Sequence, residues 1–309
     1  MKRPEKGQSL LDFPKDYTVI DVETTGWDPH FDVMLEIAAV RMRSGEEVAH
    51  FETLLNPGEI IPDFIVELTG ITNEELKGAP VEADIMAGFR DFVQDDMLVG
   101  HNVSFDVNFL YDAFIRCGCG PLKNDFVDSL RLGRRICAEL EHHRLSDLAQ
   151  FYSIPQPVAH RALADCRTTA AVMAALEADA QKKQIDINAV QKYHPSHPNK
   201  SGSRVADIVA SSPDLANPLN PLYGKECVFT GKLEAFTRKE AAQIVVNLGG
   251  ICADRVTKKT NYLIMGSNEY NPTVKDGKSS KQKKAEELIL KGADLQVLSE
   301  SVFLELLDE

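Results

Sequence analysis

The stretch Tyr17–Gly26, Y-T-V-I-D-V-E-T-T-G, constrains the fold more than any other part of the chain. Its apolar run, Tyr17 to Ile20, reads as a buried strand, and the run ends in two carboxylates with one residue between them. Successive strand side chains point to opposite faces, so Asp21 and Glu23 share a face. Two like charges side by side on a buried strand are costly unless a cation neutralises them. Oxygen ligands suit a hard divalent ion such as Mg²⁺ or Mn²⁺. Taken alone, D-x-E also fits an exposed strand end followed by an ordinary Thr-Thr-Gly turn.

Two later stretches change the balance. Gly100–Leu110 reads G-H-N-V-S-F-D-V-N-F-L and supplies Asp106, and His160–Cys166 reads H-R-A-L-A-D-C and supplies His160 and Asp165. With these three segments in order, the chain resembles the DEDDh 3'–5' exonucleases, whose best-known member is the proofreading epsilon subunit of bacterial DNA polymerase III. The family's motifs are D-x-E-T-T-G, an H-N-x-x-F-D segment and H-x-x-x-x-D. The likeness covers about residues 15–180.

Around these motifs the chain alternates strands and helices. Met34–Met42 and Glu47–Leu55 are apolar runs separated by Ser44-Gly45-Glu46, so the first three strands form an antiparallel meander. Val81–Val93 is an amphipathic helix, Met97–Val99 a short strand, and a helix from Ser104 to about Cys117 carries Asp106 near its start. Phe126–Asp128 is a strand, and Ser129–Leu140, Leu145–Phe151 and Ala162–Ala180 are helices. This pattern is α/β. The resemblance implies more: a ribonuclease-H-like mixed five-stranded sheet with flanking helices.

Residues 1–14 read as an N-terminal tail, 15–180 as the exonuclease domain, 181–220 as a Pro-, Ser- and Asn-bearing linker, and 221–309 as a second domain. Within the linker, Val205–Ala210 could make a turn of helix. Gln184-Ile185-Asp186-Ile187-Asn188 resembles the pentapeptide that binds the bacterial sliding clamp but lacks its aromatic end, and a helix tail is the simpler reading. From Tyr223 a strand ends in F-T-G, a helix stops at Gly249-Gly250, and T-K-K-T-N-Y-L-I-M-G follows. This part resembles a single BRCT domain, a small α/β fold with a parallel sheet. Phe303 stands where many such domains carry Trp.

The formal net charge is −13, which on its face argues against a nucleic-acid partner. It is unevenly spread: residues 1–180 hold 16 Lys and Arg against 31 Asp and Glu, and residues 181–309 hold 18 against 16. An acidic nuclease still meets phosphate through bound metal. Six cysteines without a C-x-x-C pair suit reduced thiols in a cytoplasmic protein better than disulfides or zinc. No stretch approaches the ~18 consecutive apolar residues of a membrane span.

Phosphodiester hydrolysis must deprotonate water, stabilise the crowded phosphorus and neutralise the leaving 3'-oxygen, and two metals about 3.5–4 Å apart meet these demands. The resemblance implies two Mg²⁺ (or Mn²⁺) held by Asp21, Glu23, Asp106 and Asp165, with Asp21 bridging and Asp106 acting largely through water. His160 is then the general base, since its unperturbed pKa of about 6.5 suits a proton acceptor near neutral pH. His142 and His143 lack such a context and read as surface residues. By the same resemblance Thr24, Thr25 and Gly26 meet the terminal nucleotide, and His101, Asn102 and Phe105 line the groove, Phe105 either stacking a base or packing in the core. The expected ligands are single-stranded or frayed 3' ends of DNA. An RNA-trimming exonuclease and a non-catalytic BRCT adaptor remain as alternatives. In the second domain Thr230, Gly231, Arg238, Lys281 and Lys284 match the phosphate pocket of those BRCT domains that have one, with a DNA 5'-phosphate or a protein partner as ligand.

Overall fold

The run Tyr17–Ile20 lies in β2 (Asp16–Thr24), near the middle of a six-stranded sheet. The structure, a computed structural model, describes residues 3–27, 29, 32–140, 143–155, 161–188, 204–211, 216, 220–233, 235–266 and 279–307. The chain divides into two units, Met1–Ala189 and Val190–Glu309.

In the first unit β2 pairs antiparallel with β3 (Met34–Arg43), which pairs antiparallel with β4 (Glu46–Leu54). The β3–β4 hairpin turns on Ser44 and Gly45, both at positive φ (51° and 86°), a conformation that Gly accepts without penalty and that matches strand twist. On the other side of β2 lie β5 (Leu98–Gly100) and β6 (Phe126–Asp128), both parallel to it. These are the five expected strands. A sixth, β1 (Ser9–Leu10), pairs parallel with β6 and comes from the stretch expected to be a tail. That stretch is also tied to the unit by an Arg3–Asp112 ion pair at 2.7 Å and by the Tyr111 hydroxyl donating to the Pro4 carbonyl. A two-residue strand has no alternation to read, so only its partner reveals it.

After β4 come two short helices, α1 (Asp63–Thr69) and α2 (Asn73–Leu76), and longer helices cover both faces of the sheet. α3 (Glu82–Val93) and α4 (Ser104–Arg116) pack on one face with Ile20 and Val22. α5 (Ser129–Ile136), α6 (Leu145–Phe151) and α7 (Ala162–Lys183) pack on the other with Tyr17 and Val19. α5 stops four residues short of the expected Leu140. The carbonyls of Ile136 and Cys137 are met instead by Lys183 Nζ at 2.9 Å and His143 Nε2 at 3.0 Å. His143 is therefore part of the scaffold rather than a free surface residue, while His142 lies outside the described residues. Ile185 and Ile187 of the clamp-like pentapeptide pack against the α5–α7 core, and the Ile187 carbonyl accepts from Arg135, as a helix tail would.

The second unit has a four-stranded, all-parallel sheet in the order β10 (Gln296–Ser299), β9 (Thr260–Met265), β7 (Glu226–Thr230), β8 (Ile251–Ala253). It is flanked by α8 (Arg238–Asn247), α9 (Ser280–Leu290) and α10 (Glu300–Leu307). Phe303 is fully buried and meets Phe229 edge-on at 5.6 Å, which ties the last helix to the sheet. A single 3₁₀ turn, Val205–Asp207, packs Val205 and Ile208 on this core, so part of the expected linker belongs to the second unit. All six cysteines are free. Among the described residues no helix is long and apolar enough to cross a membrane.

Candidate active site

Strand alternation builds the first half of the site. Asp21 and Glu23 follow Val19 at two-residue steps and so emerge on the face covered by α7. α7 delivers Asp165 in its first turn, and carboxylate oxygens of Asp21, Glu23 and Asp165 lie within 4.8 Å of one another. The electrostatics are severe. Burial, then Asp106, Glu23, Asp165 and Glu36 hold the Asp21 carboxyl well above its usual range. Glu23 is pushed up to about 8 by burial, then by Asp165, Glu36 and Asp106, with Arg161 pulling it down. Carboxylates so placed either keep protons or take a cation. An all-oxygen donor set on a rigid strand and helix suits a hard divalent ion.

Asp106 is placed differently. α4 packs on the opposite face, and Asp106 Oδ1 accepts the Val22 N–H at 2.9 Å at the end of β2. It is buried and its carboxyl is also raised, chiefly by burial. Asp106 thus adds charge to the cluster without joining the close triad. His160 lies outside the described residues.

The Thr-Thr-Gly segment is built by its own hydroxyls. Thr24 Oγ1 donates to the Gly26 carbonyl at 2.6 Å, and Thr25 Oγ1 accepts the Val33 N–H at 3.0 Å. A Cβ on Gly26 would fall 2.4 Å from the Asp32 carboxylate, which explains the glycine. Both hydroxyls thus help to fix the turn that follows the two carboxylates.

His101 and Asn102 follow the carboxyl end of β5. His101 Nδ1 bonds Ser129 Oγ at 2.9 Å, and burial, then the nearby Arg134, lower its pKa to about 3. It is a neutral, half-buried ring anchored on the first residue of α5. Asn102 adopts positive φ (62°) and donates its N–H to Asp128 Oδ1 at 2.9 Å. That carboxylate also caps α5 through the Leu130 N–H. Phe105 is half-buried, 4.8 Å from the Phe109 ring, and meets Trp27 edge-on at 5.9 Å.

Three site features escaped the sequence reading. Trp27, the only Trp in the chain, extends the aromatic surface beside Phe105. Glu36 is fully buried and paired with Arg161 at 2.9 Å. Its signal was a lone carboxylate inside the apolar run M-L-E-I-A-A-V. The third is Ser279, in the second unit.

There, Thr230 Oγ1 lies 2.9 Å from Ser279 Oγ, which caps α9. Arg238 donates to the Gly231 carbonyl at 2.9 Å and Lys281 Nζ to the Phe229 carbonyl at 2.8 Å. Burial, then Arg238, lower the Lys281 pKa. Thr230, Gly231, Arg238 and Lys281 thus meet at the carboxyl end of β7. Lys284 does not join them: it turns to Glu287, one helical turn along, at 2.7 Å.

A mixed sheet with helices on both faces, carrying an acidic triad at the end of β2, defines a nuclease-type α/β domain. The chain belongs to the Exonuclease (RNase_T) family, whose model matches residues 18–173, and a BRCA1 C Terminus (BRCT) domain matches residues 217–291. It is similar to the PolC-type DNA polymerase III of Latilactobacillus sakei, 39% identical over 176 residues that make up 57% of this chain and 12% of that protein. It is also similar to the Bacillus subtilis counterpart, 37% identical over 193 residues, 59% of this chain and 13% of that one. The Pediococcus pentosaceus counterpart aligns over 91% of the chain at 27% identity and 22% of its own length. The chain therefore spans between an eighth and a quarter of these relatives. Among solved structures, an exonuclease I matches with a TM-score of 0.50 at 26% identity, covering 55% of this chain and 42% of that one.

Proposed function

We propose that this chain is a divalent-metal-dependent 3'–5' exonuclease that hydrolyses DNA from 3'-OH ends to 5'-mononucleotides. The carrying observation is the triad of Asp21, Glu23 and Asp165, crowded within 4.8 Å on an exonuclease fold. Their mutual repulsion is relieved by cations, and Asp21, which feels every other carboxylate of the cluster, is the natural shared ligand. Bound Mg²⁺ or Mn²⁺ supplies Lewis-acid charge and an acidified water. The chain's own groups do the rest. Asp106, fixed on Val22 N–H, supports the centre from the opposite face. His160, five residues before Asp165, accepts the proton of the attacking water. The rigid 24–26 turn sets the terminal nucleotide by its backbone, and Trp27 with Phe105 offers aromatic surface to an unpaired base.

DNA rather than RNA is favoured because the relatives sharing 35–39% identity with the catalytic part are DNA polymerases. The decisive experiment is Mg²⁺- or Mn²⁺-dependent digestion of 5'-labelled DNA and RNA oligomers with free 3' ends. Stepwise shortening of DNA, with mononucleotide products, is the expected result; faster loss of RNA supports the ribonuclease alternative, and no digestion of either returns the adaptor reading.

The second unit is proposed to hold a DNA 5'-phosphate against Thr230, Gly231, Arg238 and Lys281. The convergence of Arg238 and a half-buried Lys281 at a strand end supports an anion there. Ser279 joins this group.

A further inference from the structure

Glu36 occupies the middle of the apolar strand β3, directly opposite Glu23 in the β2–β3 ladder, and is wholly buried. The three exonuclease motifs require no carboxylate there. Its oxygens take Arg161 Nη2 at 2.9 Å and Nε at 3.2 and 3.3 Å, together with the Ala162 backbone N–H at 3.0 Å. Ala162 is the first residue of α7, and the Asp165 N–H bonds the Arg161 carbonyl at 3.0 Å. One buried side chain therefore grips the first turn of the helix that brings Asp165 to the site. The grip also carries charge. A lone Glu36 carboxylate adds a negative charge beside three others, and the Arg161 guanidinium, 39% exposed, offsets it from the rim.

We propose that Glu36 and Arg161 form a positioning and charge-setting pair for the carboxylate centre: they fix the start of α7 so that Asp165 meets Asp21 and Glu23, and they set how tightly the cluster takes a divalent cation. The inference rests on the reading of that cluster as a cation centre. A simple brace and a charge-setting pair differ in sign. Loosening a brace weakens cation binding whichever partner is changed. For a charge-setting pair, Glu36→Gln leaves the Arg161 cation uncompensated and weakens binding, whereas Arg161→Gln leaves the Glu36 charge uncompensated and tightens it.

The test is Mn²⁺ binding to the full chain at about pH 8 without DNA, read by titration calorimetry and by the resonance of free Mn²⁺. Glu36→Gln should raise the dissociation constant by roughly 3–10-fold and Arg161→Gln lower it by a similar factor. The double variant should return to within about twofold of the parent, since coupled neighbours are not additive. Arg161→Lys keeps the charge without the fork, so its Mn²⁺ affinity should stay near the parent while kcat falls. It also keeps the test alive if Glu36→Gln does not fold. Shifts in the same direction for Glu36→Gln and Arg161→Gln, or an Arg161→Lys affinity as altered as that of Arg161→Gln, overturn the pair's charge-setting role. If the parent digests DNA and binds Mn²⁺ in those cases, the nuclease reading stands and only this inference falls. A parent chain that binds no Mn²⁺ removes both.

Discussion

At the carboxyl end of β2 the first unit gathers Asp21, Glu23 and Asp165; at the carboxyl end of β7 the second gathers Thr230, Arg238 and Lys281. Both places are carboxyl ends of strands with at least one parallel neighbour, β5 beside β2 and β8 and β9 beside β7, where α/β sheets bind ligands. Their charges are opposite. The acidic cluster repels phosphate until cations intervene, so its contact with a nucleic acid is indirect. The basic group, on the proposed reading, meets an anion directly. Each shows the cost of burying like charges: burial, then the neighbouring carboxylates, raise Glu23 to about 8, and burial, then Arg238, lower Lys281. The difference runs in the same direction as the charge of the two halves, strongly acidic in residues 1–180 and nearly neutral in residues 181–309. It also separates how the two sites respond to metal and to salt.

The largest expected effect breaks the acidic side outright. Asp21→Ala should bring DNA digestion to assay background while leaving the circular dichroism spectrum and BRCT-side binding unchanged; a purified variant that still digests would falsify the assignment of the site. Next, His160→Gln should lower kcat roughly 10²–10⁴-fold with substrate binding retained, the scale of losing a general base. Parent activity should fall as pH drops through the imidazole range, and an unchanged pH profile removes His160 from the mechanism.

A third measurement sharpens the contrast through stability. Glu23 has a folded-state pKa of about 8 against an ordinary 4.5, so the folded protein binds more protons than the unfolded chain between those values. Its contribution is fully present below about pH 4.5 and is lost as pH rises toward 8. The metal-free thermal midpoint should therefore decline across that window, and Mg²⁺ or Mn²⁺ should restore it most at the alkaline end. A metal-independent midpoint at about pH 8 contradicts a cation centre. The smallest effect belongs to the basic side. Parent protein should bind 5'-phosphorylated duplex several-fold better than its unphosphorylated twin, on the order of one charge-assisted contact. Thr230→Ala or Arg238→Ala should erase that preference, Lys284→Ala should leave it intact, and added salt should weaken binding. Equal affinity for the two duplexes points to protein docking instead.

Much of this was legible beforehand. The alternation in V-I-D-V-E put two carboxylates on one face, and H-x-x-x-x-D placed Asp165 early in a helix; β2 and α7 realise both. Periodicity located α3 and α4 within a residue of their ends. What the sequence did not show was which partner each side chain takes. The Thr24 and Thr25 hydroxyls bond Gly26 and Val33. His101 Nδ1 bonds Ser129. Lys284 matched a pocket position, and it pairs with Glu287 one helical turn along.

The sequence by itself determined the residue types that can do the chemistry, the strand and helix that carry them, and the division into an acidic and a weakly basic half. These depend on local periodicity and composition, which a chain displays before it folds. Only the tertiary structure decided that Asp106 leans on the Val22 N–H rather than joining the close triad, that Ser279 stands beside Thr230, and that Glu36 reaches 125 residues along the chain to hold Arg161 and the start of α7. The physical reason is that a buried polar group must find a partner wherever the fold brings one, and sequence separation does not record which partner that is.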